Sequence, residues 1–211
     1  MTDSRSLILG KLNRCSSESG QWPDAIQPAF VAQSKSLADL LKQKLEAVHT
    51  SVDLVNSEIQ IGQSIAHFLQ SHNSLLEVGI MPDAGIDIDS VSAEQGVKFY
   101  TCQDIASCKT VITTAAFGIA ETGTVVLPSS VQRPTLANFL PDNSIVLLDE
   151  VNIRPYMEDA LSSVKNSDAG MPRALNLVSG PSKTADIEQT LVYGAHGPIQ
   201  LHVIIRMAQQ P

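Results

Sequence analysis

Apolar side chains recur at helical spacing at two places in the first third of the chain, and a capping residue precedes each. Ser36 and Asp39 approximate a capping box ahead of the first, and Asn56 or Ser57 can cap the second. Each stripe would form one buried helix face. A strand is predicted between them, near Val52 to Val55. The stripes are Leu37, Leu40, Leu41, Leu45 and Val48, then Ile59, Ile65, Ala66 and Leu69.

Short apolar runs separated by turn residues predict strands in the middle of the chain. The run from Ser144 to Leu148 is continuously apolar, as expected for a strand that is buried on both faces. The shorter runs are Leu75 to Val78, Val97 to Tyr100, Val111 to Thr114 and Val125 to Leu127.

The last third of the chain predicts one more helix between strands. Pro155 suits the first turn of a helix, and Ala174 to Val178 is a further apolar run. From Leu201 to Arg206, apolar positions alternate with His202, Ile204 and Arg206, which predicts a last strand with one wetter face. The helix stripe would be Ile153, Met157, Ala160, Leu161 and Val164.

Strands that alternate with helices predict a single α/β domain with a mainly parallel sheet flanked by helices. Such sheets bind ligands outside the carboxyl ends of their strands, so the turn after Val178 is expected there. Residues 1–34 contain a short helical piece and a Ser- and Pro-containing stretch, which indicates an arm and linker. Residues 35–211 are predicted to form the folded domain.

Composition narrows the class of protein. Hydrophobic residues make up 43% and charged residues 17%, which is typical of a folded chain. The net charge is -8, from 14 Lys and Arg against 22 Asp and Glu, so nucleic acid is a poor partner. The amino-terminal apolar run is too short for a signal peptide, and no later run is long enough to span a bilayer. We therefore predict no membrane span and a cytoplasmic location.

The cysteines argue against a cofactor held by this chain. Cys15, Cys102 and Cys108 are odd in number and form no CxxC pair, which opposes a disulfide framework and a four-thiolate cluster. Cys102 and Cys108 are most simply buried thiols. His196 and His202 lack the spacing of a helical metal pair, so no metal site is predicted. No dinucleotide-binding GxGxxG fingerprint is present either.

The first candidate motif for chemistry runs from Gly118 to Thr124. Glu121 stands there among glycines that let a ligand approach the backbone closely. A partly desolvated carboxylate could act as a base or a nucleophile. The other interpretation is a glutamate that only holds a turn through hydrogen bonds. We predict ligand contacts from Gly118, Thr122, Gly123 and Thr124.

The second candidate motif follows Gly180. Its side chains resemble the entrance to a helix, where free amides favour a carboxylate or phosphate. The simpler interpretation is that they cap the helix while Lys183 points to water. The predicted ligand contacts are Gly180, Ser182, Lys183, Thr184 and Asp186.

Two further side chains complete the predicted site. His196 lies in a glycine-rich turn and could donate a proton near neutral pH, although a histidine there is more often structural. Arg133 is a candidate carboxylate clamp by residue type, with a solvated loop arginine as the alternative.

These motifs together resemble the lactate utilization protein C family, whose members carry a LUD domain. The similar elements are Gly-Ile-Ala-Glu-Thr-Gly-Thr from Gly118, Gly-Pro-Ser-Lys-Thr-Ala-Asp-Ile-Glu from Gly180, and Gly-Ala-His-Gly-Pro from Gly194. Weaker similarity extends back to about Leu37. The resemblance implies a fold like that of the NagB, RpiA and CoA-transferase superfamily.

The resemblance also implies a function. It makes the chain an accessory or substrate-handling subunit of cytoplasmic machinery that oxidises L-lactate to pyruvate. This machinery includes two other proteins, and at least one of them carries iron-sulfur clusters. Two alternatives stay open. One is an independent acyl-CoA transferase or nucleotide-dependent ligase that uses Glu121 or Lys183, and the other is a regulatory subunit that binds a metabolite without turnover.

Overall fold

The computed structural model describes residues 4–15, 36–82, 84–92, 96–167, 170–185, 191–194 and 196–208. The chain separates into two units, Met1–Val31 and Ala32–Pro211. In the first unit, helix α1 spans Ser4–Cys15. The rest of the predicted arm and linker, residues 16–34, lies outside the described residues. The second unit contains every other element.

The second unit alternates helices and strands. Its helices are α2 (Leu37–Ala47), α3 (Glu58–Ser71), α4 (Ile88–Ser92) and α5 (Met157–Lys165). Its strands are β1 (Ser51–Val55), β2 (Glu77–Ile80), β3 (Lys98–Thr101), β4 (Thr110–Thr114), β5 (Phe117–Ile119), β6 (Thr124–Pro128), β7 (Asn143–Asp149), β8 (Ile153–Arg154), β9 (Leu175–Val178), β10 (Lys183–Ala185), β11 (Leu191–Tyr193) and β12 (Gln200–Arg206).

Six strands form a parallel sheet in the order β1, β12, β7, β4, β2, β3. Strand β7 is buried on both faces, as the continuous apolar run predicted. Ile145 and Leu147 pack toward α3, whereas Val146 and Leu148 pack toward α2, because successive strand residues point to opposite faces. A mainly parallel sheet flanked by helices is therefore confirmed.

The amino-terminal caps of α2 and α3 agree with the sequence-based prediction. The Ser36 hydroxyl accepts the amide of Asp39 at 3.0 Å, and the Ser57 hydroxyl accepts the amide of Gln60 at 3.4 Å. Helix α5 begins later than predicted, at Met157. Ile153, which the pattern placed on the helix stripe, lies in β8 and pairs with Gly118 of β5.

A second sheet of four strands, in the order β8, β5, β6, β9, covers the α2 face of the parallel sheet. Val125 and Leu127 of β6 share a core with Leu41 of α2 and Leu148 of β7. Strand β9 runs antiparallel to β6. The expectation that the turn after Val178 lies at the carboxyl ends of the parallel strands is wrong, because Ser182 of this turn donates its amide to the carbonyl of Pro198, which precedes β12.

The described part of the segment after Gly180, residues 181–185, is also not a helix entrance. Residues Lys183–Ala185 form β10, which pairs antiparallel with β11. Gly194 donates its amide to the carbonyl of Ser182 at 3.1 Å, so the segment's backbone groups are paired across a hairpin. The hydroxyl residues that resemble helix caps stand in this hairpin instead.

Strand β12 lacks the wetter face that its alternation predicted. His202 is 2% exposed and Ile204 is fully buried, since β12 lies between β1 and β7 under α3. Burial lowers the pKa of the His202 imidazole from its ordinary value of 6.5 to about 4, and the carboxylate of Asp53 offsets only part of that effect.

Cys102 and Cys108 are buried thiols, as predicted. Their sulfur atoms lie 2.8 Å apart. Burial raises the pKa of the Cys102 thiol to about 12, and the hydrogen bond with Cys108 adds to the increase. Because the thiolate is the reactive form, we expect the Cys102 thiol to be inert in the folded protein.

Candidate functional site

The two sequence motifs lie side by side at one end of the four-stranded sheet. Residues 120–123 form the turn that joins β5 to β6, and Val125 of β6 pairs with Val178 of β9. The start of β6 therefore adjoins the end of β9. The Thr124 hydroxyl lies 2.6 Å from the Ser179 hydroxyl and 2.7 Å from the Thr122 hydroxyl. A chain of three hydroxyl groups thus links the two motifs.

A cavity of about 250 Å³ lies next to this link. Ser179, Gly180, Ser182 and His196 line it, together with Asn138. The amide of Ser182 donates to the carbonyl of Pro198 at 2.9 Å, which holds the Gly180 turn against the His196 turn. The structure thus brings three of the predicted site residues into one cavity: Gly180, Ser182 and His196.

Asn138 brings a buried side-chain amide to this cavity. Its side chain is 4% exposed, and neither amide atom has a hydrogen-bond partner within the described part of the chain. A buried amide without partners costs about 1–3 kcal/mol. The same amide offers a donor and an acceptor to a ligand. It is therefore suited to bind a molecule with a hydroxyl or carboxylate group.

The cavity lies near the amino-terminal ends of the parallel strands. Asn138 precedes β7, and Pro198 precedes β12. At the opposite ends of the same two strands, Arg206 and Asp149 form an ion pair, with Nε 2.7 Å from Oδ1. The general rule that places ligands at carboxyl ends does not locate this cavity.

Glu121 occupies the β5 to β6 turn but does not line the cavity, as far as the described residues show. It is partly exposed, and its backbone amide donates to the carbonyl of Pro155 at 3.1 Å. The structure therefore separates the predicted nucleophile from the cavity that holds Ser182 and His196. Its catalytic role stays a prediction.

The glycines of the first motif are explained by packing. A Cβ on Gly118 would lie 2.7 Å from methyl carbons of both Leu41 and Leu148. Gly123 has a φ of +67°, and a Cβ there would lie 2.6 Å from the Cβ of Lys44 on α2. Close packing against core and helix therefore requires both positions to lack side chains.

Arg133 contacts backbone carbonyl groups. Its Nε donates to the carbonyl of Pro128 at 3.0 Å, and its Nη1 donates to the carbonyl of Thr114. These bonds tie the loop after β6 to the end of β4. The predicted role of Arg133 as a carboxylate clamp stays a prediction. A carboxylate ligand would have to share the guanidinium group with these two backbone carbonyls.

The remaining residues of the second motif follow the hairpin. Lys183 donates from Nζ to the carbonyl of Val48 at 3.2 Å, so its ammonium group contacts the end of α2. Thr184 lies in β10, where only its backbone is described. Asp186 lies outside the described residues.

Sequence reasoning missed Asn138 and Ser179. Asn138 is an isolated amide within the apolar stretch from Leu136 to Leu140, and that isolation is the one signal that could have marked it. Ser179 directly precedes the Gly180 motif, but its contact with Thr124 depends on strand pairing across 55 positions. Composition and spacing carry no information about such a pair.

No group of three or more His, Cys, Asp or Glu side chains among the described residues is placed to hold a metal ion. Within the same residues, every helix is too short or too polar to cross a membrane.

Comparison with known proteins gives one matching family, described as the LUD domain, over residues 38–205. Lactate utilization protein C from Anoxybacillus flavithermus is 28% identical, and the match covers 93% of both chains. Lactate utilization protein C 1 from Bacillus mycoides is 37% identical over 53% of this chain and 47% of its own length. An uncharacterized protein from Neisseria meningitidis serogroup B is 34% identical over 57% of this chain and 52% of its own.

The chain thus spans about half the length of the last two relatives. Among solved structures, the crystal structure of a DUF162 family protein from Deinococcus radiodurans matches with a TM-score of 0.61 and 20% identity. This match covers 82% of the present chain and 96% of that one. At this identity it supports the fold alone.

Proposed function

The chain belongs to the LUD domain family, and from this premise we propose that it handles a small 2-hydroxy acid as a subunit of a lactate utilization system. The names of several relatives support the system. The cavity beside β6 and β9 supports the ligand class. We also propose a cytoplasmic location and a fold of the CoA-transferase type, which the six-stranded parallel sheet supports.

The observation that carries the proposal is the unpaired amide of Asn138. L-lactate has a carboxylate that accepts hydrogen bonds and a hydroxyl group that both donates and accepts them. The Asn138 amide can donate to the carboxylate and accept from the hydroxyl. Ser182 and His196 line the same cavity and supply further polar contacts. A cavity of about 250 Å³ has room for a molecule of this size.

We place the redox step on a partner. The three cysteines of this chain lack the spacing of a cluster-binding motif, and Cys102 and Cys108 are buried. In this proposal an iron-sulfur protein accepts the electrons from lactate, and the present chain binds and orients the substrate.

The ligand proposal is tested by titrating the full-length chain with L-lactate and with pyruvate, using calorimetry. We expect saturable binding of at least one of the two. Asn138→Leu removes both hydrogen-bonding groups at similar volume and should weaken binding by about tenfold or more. The free protein should meanwhile be as stable or more stable, because a buried unpaired amide is removed.

Asn166→Leu is the matched control, since Asn166 is an exposed residue at the end of α5. It should leave binding unchanged. Failure of the wild-type chain to bind either acid would contradict the ligand proposal. Equal affinity of wild type and Asn138→Leu would contradict the role of Asn138.

The subunit proposal needs a separate measurement. The tagged chain is purified from a native extract, and cluster absorbance and lactate-dependent dye reduction are recorded on the material that accompanies it. We expect both signals in the complex and neither in the isolated chain. Rapid lactate oxidation by the isolated chain would contradict the proposal.

A further inference from the structure

A second cavity, of about 340 Å³, lies beside β1. Strand β1 is at one edge of the parallel sheet. The side chains that line the cavity include Ser51 and Asp53 of β1, His202 of β12, His67 and Phe68 of α3, and His72, which directly follows α3. It is distinct from the cavity that contains Asn138, and none of its chemistry is needed for the function proposed above.

His202 is held rigidly at the inner end of this cavity. Its ring stacks on Phe68, with centroids 4.8 Å apart and an angle of 9° between the planes. Nδ1 lies 2.8 Å from the Ser51 hydroxyl, and Nε2 lies 2.8 Å from the Ser64 hydroxyl. The Ser64 hydroxyl in turn lies 2.6 Å from Oδ2 of Asp53. Four polar side chains therefore form one hydrogen-bonded row.

The direction of each hydrogen bond follows from Asp53. An ionised carboxylate only accepts, so the Ser64 hydroxyl donates to Asp53. Because Ser64 has a single proton, its oxygen must accept from His202, and the proton of the neutral ring is on Nε2. The lone pair of Nδ1 is then free to accept the hydroxyl proton of Ser51. The alternative contacts, Ser51 Oγ to the Leu201 carbonyl at 3.4 Å and Nδ1 to the Ser51 carbonyl at 3.2 Å, are longer.

A serine whose hydroxyl donates to an oriented imidazole is the arrangement that activates a nucleophile. We propose that this cavity is an acyl-transfer site in which Ser51 is the nucleophile and His202 is its general base. Ser64 and Asp53 are positioning residues, since they act through His202. The substrate class is an activated ester or a thioester.

The reaction needs only the acyl donor and water. The Ser51 oxygen forms a bond to the acyl carbon as its proton moves to Nδ1 of His202. The bond from the acyl carbon to the leaving oxygen or sulfur then breaks, and that atom takes the proton from His202. Water releases the acyl group by the same steps and regenerates the Ser51 hydroxyl. Asp53, 3.8 Å from Nε2, stabilises the transient imidazolium ion.

Thr50 supplies an independent observation at the same place. It adjoins Ser51, lines the cavity and is 3% exposed. Its hydroxyl has no hydrogen-bond partner within the described residues. An unpaired donor beside the nucleophile is suited to bind the oxyanion that forms during acyl transfer.

The burial of His202 sets the pH range of the reaction. Because its pKa is about 4, the imidazole stays neutral and available from about pH 6 to 8, although it is a weak base. Acylation of Ser51 should therefore be level over that range and should decline only toward about pH 4. The charged or titratable groups around the cavity are Lys42, Glu46, Asp53, His67 and His72.

The experiment uses p-nitrophenyl acetate and the full-length protein. After an acid quench, the acetylated positions are mapped by peptide mass spectrometry as a function of time. We expect acetylation at Ser51, none at position 51 in Ser51→Ala, and a rate about 100-fold lower in His202→Gln. Asp53→Asn changes a partly exposed residue. It therefore tests the role of the hydrogen-bonded row even if His202→Gln does not fold. It should slow labelling of Ser51 by at least about tenfold.

Ser71→Ala is the matched control. Ser71 lines the same cavity, but its hydroxyl donates to the carbonyl of Phe68 at 2.9 Å. This variant should label Ser51 at the wild-type rate. Acetylation confined to lysines and the amino terminus would overturn the proposal. Equal labelling of Ser51 in wild type, Asp53→Asn and a folded His202→Gln would overturn it as well.

Discussion

Lowering the pH from about 7 to about 4 is expected to remove roughly 3 kcal/mol from the free energy of unfolding through His202 alone. Burial lowers the folded-state pKa of this side chain from 6.5 to about 4. Between these two values the unfolded chain binds a proton that the folded chain does not. The contribution is therefore complete above about pH 6.5 and is lost as the pH falls toward 4.

The measurement is urea unfolding at several pH values, followed by fluorescence or circular dichroism. His202→Gln should flatten the dependence over this interval, whatever its effect on stability at pH 7. His196→Gln, at an exposed histidine, is the comparison variant. The assignment to His202 would be wrong if His202→Gln kept the full wild-type slope.

Gly123→Ala is expected to cost roughly 2–4 kcal/mol of stability. Part of this is the strain of placing a side chain at a φ of +67°. The larger part is steric, since the new methyl group would lie 2.6 Å from the Cβ of Lys44 and 3.0 Å from its carbonyl carbon. Backbone atoms of a helix cannot move aside as easily as the end of a flexible side chain.

Gly85→Ala provides the matched comparison. Gly85 has nearly the same φ, +62°, and an added Cβ would meet nothing within 4 Å. This variant should lose only about 1 kcal/mol, from backbone strain. Urea unfolding of the two variants separates strain from packing. Equal losses of stability in the two variants would show that close packing of the Gly123 turn against α2 adds nothing to the cost of Gly123→Ala.

Local sequence signals predicted helices α2 and α3 and the parallel strands well. The Ser36 and Ser57 caps mark the starts of α2 and α3, because a cap depends only on the residues next to it. The apolar run from Ser144 to Leu148 predicted β7 for a similar reason: a strand covered on both sides needs apolar residues at every position.

Other features depended on contacts that a local pattern does not encode. Leu175–Val178 has the same apolar character as a parallel strand, but it joins an antiparallel sheet beside β6. Lys183–Ala185 follows a cap-like sequence, but pairing with β11 determines its structure. The alternation around His202 predicted a wet face, whereas three polar neighbours allow this histidine to be buried.

In the candidate site, too, the sequence predicted features that depend on neighbouring residues and missed those that depend on distant contacts. The sequence identified Gly180, Ser182 and His196, which one cavity contains, because turn-forming and polar residues cluster there. It did not identify Asn138, whose importance comes from the absence of a partner within the described structure. It also could not show that Gly118 and Gly123 are explained by packing against Leu41 and Lys44.

The hydroxyl pair of Thr124 and Ser179 has a consequence for evolution and for protein engineering. The two oxygen atoms are 2.6 Å apart although they are 55 positions apart in the chain. Relatives that replace one of these residues by an apolar one should tend to replace the other as well. A transplant of the Gly180 hairpin into a different scaffold would also need a hydroxyl-bearing neighbour in place of Thr124, or the graft would introduce an unmatched Ser179.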